Sequence, residues 1–131
     1  MRRRWIPLVV CGALFIGLAP GTAAGGPADP RPVVLSATWL TEPVRAHRGE
    51  VLQVAAADAN DVLTEIDVVW GDGVITFANL ICSGRTATVR LGHRFPHRGV
   101  FVVQVVAVSS DSCGGGGHQE SLPYPVTTVV L

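Results

Sequence analysis

Two stretches of strict two-residue alternation constrain this chain more than anything else in it. Ile66, Val68 and Trp70 fall on one side of a run whose other side carries Glu65 and Asp67, and Phe101, Val103, Val105 and Ala107 form a second such row. Successive side chains of an extended strand point to opposite faces, so this period belongs to a sheet with one packed face. No stretch beyond the first 24 residues carries an apolar stripe of period 3.6 between helix caps. The fold is therefore expected to be all-β.

The other apolar segments fit the same scheme. Val33 to Leu40, Val51 to Ala57, Val74 to Ile81, Thr86 to Leu91 and Pro125 to Leu131 read as further strands. Leu52, Val54 and Ala56 form one inward set, and Ala87, Val89 and Leu91 another. Turn residues separate them: Gly49, Asp58-Ala59-Asn60-Asp61, Gly71-Asp72-Gly73, Ser83-Gly84-Arg85 and Pro96-His97-Arg98-Gly99. A loop is expected from Ser109 to Ser121, with four consecutive glycines, Gly114 to Gly117. Seven short strands at regular spacing argue for a sandwich or a barrel.

A leader precedes this pattern. Arg2, Arg3 and Arg4 form a positive start, an apolar run from Trp5 to Ala19 follows, and Thr22-Ala23-Ala24 supplies the small residues that a signal peptidase needs. This is the layout of a secretory signal peptide over residues 1–24, with cleavage expected after Ala24. The apolar run stops at Pro20-Gly21, short of the roughly 20 residues of a membrane span, so no stable membrane anchor is expected after cleavage. Cys11 does not make a lipoprotein signal, because Val9 and Val10 stand where small residues are required. Residues 25–32 form a flexible lead-in rich in Gly, Pro and Ala, and residues 33–131 one β-domain. A chain of 131 residues has room for one ordinary domain.

Removing the leader leaves seven basic residues against ten acidic ones, a net charge near −3. No basic cluster remains to serve nucleic acid or an anionic membrane. Cleavage also takes away Cys11 and leaves Cys82 and Cys113. Two cysteines in an exported chain predict a disulfide, with two buried free thiols as the alternative.

Val68-Val69-Trp70-Gly71-Asp72-Gly73 resembles the Trp-Gly-Asp-Gly hallmark of polycystic kidney disease (PKD) domains. About twenty residues on, His93-Arg94-Phe95 precedes Gly99-Val100-Phe101-Val102-Val103, similar to the family's His-x-Tyr and Gly-x-Tyr-x-Val with Phe replacing Tyr twice. The resemblance spans Val33 to Leu131. It implies an immunoglobulin-like antiparallel β-sandwich of about seven strands, and a non-catalytic extracellular module without a cofactor. Such a module binds or adheres to a protein or polysaccharide outside the cell. The motif residues are expected to be structural. Trp70 fills the core, Asp72 tolerates a left-handed turn, His93 bonds to backbone beside that turn, and Gly99 permits sharp entry into the next strand. The Cys82–Cys113 pair and the glycine loop lie outside the family pattern.

Three chemical readings compete with this one. Asp111-Ser112-Cys113-Gly114-Gly115 superficially resembles a serine nucleophile loop for which His93 or His97 would be the base, but the chain has no Gly-x-Ser-x-Gly elbow and is too short for a double barrel. A zinc site would draw on His93, His97 and His118, yet Pro96 denies the helix that His-x-x-x-His spacing needs. Asp58, Asn60 and Asp61 offer oxygens to calcium, without the glycine and final glutamate of an EF-hand loop, and turn-forming Asx residues account for the same cluster. No metal is expected, calcium through these three being the weak candidate.

The outward face of the long strand is unusual. Val100, Val102, Val106 and Val108 alternate onto it with Gln104 as the one polar residue. Either the C-terminal segment covers these valines, or they form an apolar partner face. That face also suits an alternative function, a self-associating structural protein of the cell envelope.

Overall fold

The computed structural model describes residues 30–113 and 117–131, so the expected leader and most of the lead-in lie outside the described residues. Eight strands run in the order β1 (Val33–Trp39), β2 (Glu50–Ala57), β3 (Val62–Val69), β4 (Ile75–Asn79), β5 (Thr86–His93), β6 (Gly99–Ser110), β7 (His118–Glu120) and β8 (Tyr124–Val130). All pairings are antiparallel. One sheet has the order β1-β2-β5. The other has β4-β3-β6, with β7 and β8 both pairing the far side of β6.

The two sheets close over the residues that alternation places inward. Leu52 and Val54 of β2 face Leu63, Ile66 and Val68 of β3 and Val103 and Val105 of β6, all fully buried. Burying one such side chain stabilises the fold by about 1.5–3 kcal/mol. A hydrogen bond crosses the sandwich where Trp39 at the end of β1 donates its indole Nε1–H to Thr128 Oγ1 of β8 at 2.9 Å.

Two expectations need correction. The described residues form eight strands and not the seven expected, because β6 extends to Ser110 and β7 lies inside the stretch expected to be loop. β7 has only three residues, too few to show a period. Second, the C-terminal segment does not cover the outward valines. β8 pairs β6 edge to edge, with Val100 opposite Val129 and Val102 opposite Thr127, and so widens the sheet.

Loops are tied by polar side chains. Glu50, 4% exposed, accepts from Arg45 N–H at 2.9 Å and from the Thr41 hydroxyl, fixing the β1–β2 connection. Composition gave no sign of this buried carboxylate. Cys82 and Cys113 are disulfide-bonded, with Cα atoms 5.5 Å apart, and join the β4–β5 and β6–β7 connections.

Candidate functional site

Trp70 follows β3 directly and is fully buried. Its indole donates to Thr76 Oγ1 at 2.8 Å, stacks on the His93 ring with centroids 4.4 Å apart and planes at 4°, and meets Phe95 edge-on. His93 Nε2 lies 2.7 Å from Asp72 Oδ2, and Asp72 Oδ1 accepts from Val74 N–H. His93 therefore bonds to the Asp72 side chain and not, as expected, to backbone. The left-handed positions of the turn belong to Gly71 and Gly73, with φ of 84° and 92°, and not to Asp72. A Cβ on Gly71 would lie 2.8 Å from the Val102 carbonyl oxygen, so the turn rests directly on β6. Gly99, with φ of 149°, is the first residue of β6. Phe95 and Phe101 pack 4.7 Å apart in an apolar cluster, in surroundings that suit phenyl rings. The motif residues pack against one another at this end of the sandwich.

The outer face of the five-stranded sheet is different. Val100 and Val102 are 66% and 49% exposed, and Val129 stands beside Val100 across the β6–β8 pair. Val106 and Val108 are half-buried. The reason lies in their register partners: Val106 stands opposite Asp67, and Val108 lies between Glu65 of β3 and Glu120 of β7. Further across, Phe77 pairs with Asp67 and Ile75 with Val69, and both β4 side chains are exposed. The face thus carries an apolar stripe at one end and three carboxylates at the other. Sequence reasoning found the β6 valines and the outward side of Glu65 and Asp67, and missed Ile75, Phe77, Val129 and the place of Glu120 beside them. The alternation within β4 and β8 held a signal for the apolar ones, whereas the placement of Glu120 depends on register.

The carboxylates border a shallow depression of about 640 Å³ with Asn79, His118 and the disulfide on its rim. Burial, a hydrogen bond with Glu65 and the negative charges of Glu65 and Glu120 push the Asp67 carboxyl up to about 7. Among the described residues, no group of three or more His, Cys, Asp or Glu is placed to hold a metal ion.

Asp58 Oδ1 accepts from the N–H groups of Asn60 and Asp61 at 2.9 and 2.8 Å, a turn-forming arrangement. Burial opposes its ionisation, but those N–H groups, the Ser109 hydroxyl and Arg85 outweigh it and hold the carboxyl below its ordinary value. His93 and His97 sit at the end of the sandwich where β6 begins, while Ser112 and His118 lie at the end where it finishes. A twelve-residue strand, roughly 40 Å long at about 3.4 Å per residue, separates the two groups. The fold brings together neither the nucleophile with its base nor the three histidines.

No protein-family model matches the chain, and no curated protein matches it significantly. Among solved structures, it is similar to the PKD domain of an M14-like peptidase from a Thermoplasmatales archaeon. Identity is 18% over 79% of this chain and 98% of that one, with a TM-score of 0.60. The PKD domain of the human VPS10 domain-containing receptor SorCS2 aligns at 22% identity over 79% of this chain and 78% of that one, with a TM-score of 0.43. On the first of these likenesses and the packing around Trp70, the chain has the fold of a PKD domain, an immunoglobulin-like antiparallel β-sandwich.

Proposed function

We propose that the chain is an exported, non-catalytic binding module that presents the outer face of its five-stranded sheet to an extracellular protein or polysaccharide. The uncovered apolar stripe of Val100, Val102 and Val129 carries this reading. A contiguous apolar patch on a soluble domain marks an interaction site, because leaving it in water forgoes its burial energy. The stripe is aliphatic and offers few hydrogen-bond donors, which favours a protein over a sugar. Export rests on the leader ahead of residue 25 and on the Cys82–Cys113 bond, since disulfides persist in oxidising compartments.

The test immobilises residues 25–131 and offers separated surface proteins and purified polysaccharides. A specific partner should be retained by the wild type and lost by the Val100→Lys/Val102→Lys variant of unchanged fold. Equal retention by both would remove the stripe from the proposal, and retention by neither would remove binding itself. Intact mass of the secreted product, before and after reduction and alkylation, should place its N-terminus at Gly25 and count one disulfide.

A further inference from the structure

We infer that the free edge of β4 is a two-fold, self-complementary pairing site for a second copy of this chain. The inference goes beyond the binding reading and does not use the valine stripe. It rests on the alternation of hydrogen-bonding groups along β4. Trp70 N–H donates to the Val74 carbonyl, and Leu80 N–H donates to the Thr64 carbonyl. Val74 and Leu80 therefore turn their backbone groups toward β3, and in an antiparallel strand every second residue does the same. Thr76 and Ala78 follow suit. Ile75, Phe77 and Asn79 turn theirs the other way, where none of the described strands pairs with β4.

Exposed edges are templates for strand addition, and folded proteins blunt them with charge, proline or a bulge. The other edges of this sandwich carry such devices. β1 has a register shift between Val34 and Ser36, β5 carries Arg90, β7 carries Glu120 and β8 carries Pro125. β4, Ile-Thr-Phe-Ala-Asn, has none of them and pairs β3 without a register shift. Two of its three exposed side chains are apolar, Ile75 at 50% and Phe77 at 62%, and the third, Asn79, is uncharged.

The geometry of the edge selects a copy of itself. The outward-turned residues are 75, 77 and 79, centred on Phe77. A two-fold axis through Phe77 sets Phe77 against its counterpart and Ile75 against the copy's Asn79. All three pairs then fall in hydrogen-bonded positions, so every outward N–H meets an outward C=O. The two phenyl rings become a cross-strand pair on one face, a favourable aromatic contact. Charge does not oppose this, because no residue of β4 is charged. Asp67, which stands opposite Phe77 on β3, and its copy would lie three strand spacings apart. That is roughly 14 Å, beyond the screening length of about 8 Å at physiological salt. The product is one continuous sheet with both outer faces on the same side.

Sedimentation of the secreted chain across a wide concentration range tests the pairing. The weight-average mass is expected to climb toward twice the monomer, and Phe77→Lys should weaken association about tenfold or more by placing two cations face to face. Val102→Lys, away from the edge, should leave it unchanged. Hydrogen exchange supplies a readout that needs no variant: concentrating the wild type should slow the amides of Ile75, Phe77 and Asn79 and leave those of Thr76 and Ala78 as they were. A strictly monomeric chain, a dimer sensitive to Val102→Lys but not to Phe77→Lys, or equal slowing of odd and even amides would each overturn the inference. If Phe77→Lys fails to fold, the odd-against-even hydrogen-exchange pattern of the wild type decides alone.

Discussion

Trp70 is held by groups that lie far apart in the chain. His93 stacks on its face from the end of β5 in the other sheet, while Asp72, in the turn beyond Trp70, holds the far edge of that imidazole. Both side chains of this pair are buried, so deleting one leaves the other polar group stranded. His93→Ala should cost about 1–3 kcal/mol in urea unfolding, and the cycle with Asp72→Ala should show coupling of about 0.5 kcal/mol or more. Ile81 presents the opposite case. It is 84% exposed and β-branched, yet has φ of 42° and precedes Cys82 at 55°. A branched side chain in left-handed backbone is strained, and burial does not repay it here. Ile81→Gly should raise stability by about 1 kcal/mol, read as a higher urea midpoint. The burial of Trp70 was legible from alternation alone. The Asp72–His93 bond was not, because 21 residues separate the two and only the closing of two sheets joins them.

Strand by strand, inward residues were legible wherever a run was long enough to show its period. β2, β3 and β6 bury the rows their sequences mark. What register adds could not be read, because no local pattern says that Glu65 and Glu120 flank Val108 or that Phe77 and Val106 flank Asp67. That neighbourhood sets the pH response. Unfolded, Asp67 titrates near 3.8, and folded it is pushed up to about 7. Between those values the folded chain holds a proton that the unfolded chain has released, so this group makes stability fall as pH rises and then level off. Asp58 acts in the opposite sense. Its folded value is lowered, so its contribution is present above the unfolded value and lost as pH falls through the folded one. Urea midpoints measured from about pH 3 to about pH 8 should show Asp67→Asn abolishing the decline toward neutral pH and ending more stable than wild type above it. Asp58→Asn should instead flatten the acid limb.

The sandwich as a whole is fastened at both ends by different chemistry. Where β6 begins, Asp72–His93 and Trp39–Thr128 join the sheets through buried hydrogen bonds. Where β6 ends, Cys82–Cys113 ties the β4–β5 connection to the β6–β7 connection. These fastenings act on different states. The hydrogen bonds exist only in the folded chain, whereas the disulfide persists after unfolding and keeps 31 residues of separation closed into a loop. A cross-link of that span removes loop entropy from the unfolded chain worth about 3–4 kcal/mol. The paired substitution Cys82→Ser/Cys113→Ser should therefore lower stability by about that amount while leaving the fold intact, because the core around Leu52, Ile66 and Val103 lies away from the bond. A second number separates this cause from lost native contacts. Freed of the cross-link, the unfolded chain expands and exposes more surface, so the dependence of unfolding free energy on urea should steepen as the midpoint falls. Thr128→Val removes a native hydrogen bond and should lower the midpoint with the slope unchanged. Unchanged slopes in both variants would mean that the disulfide stabilises through folded-state contacts instead.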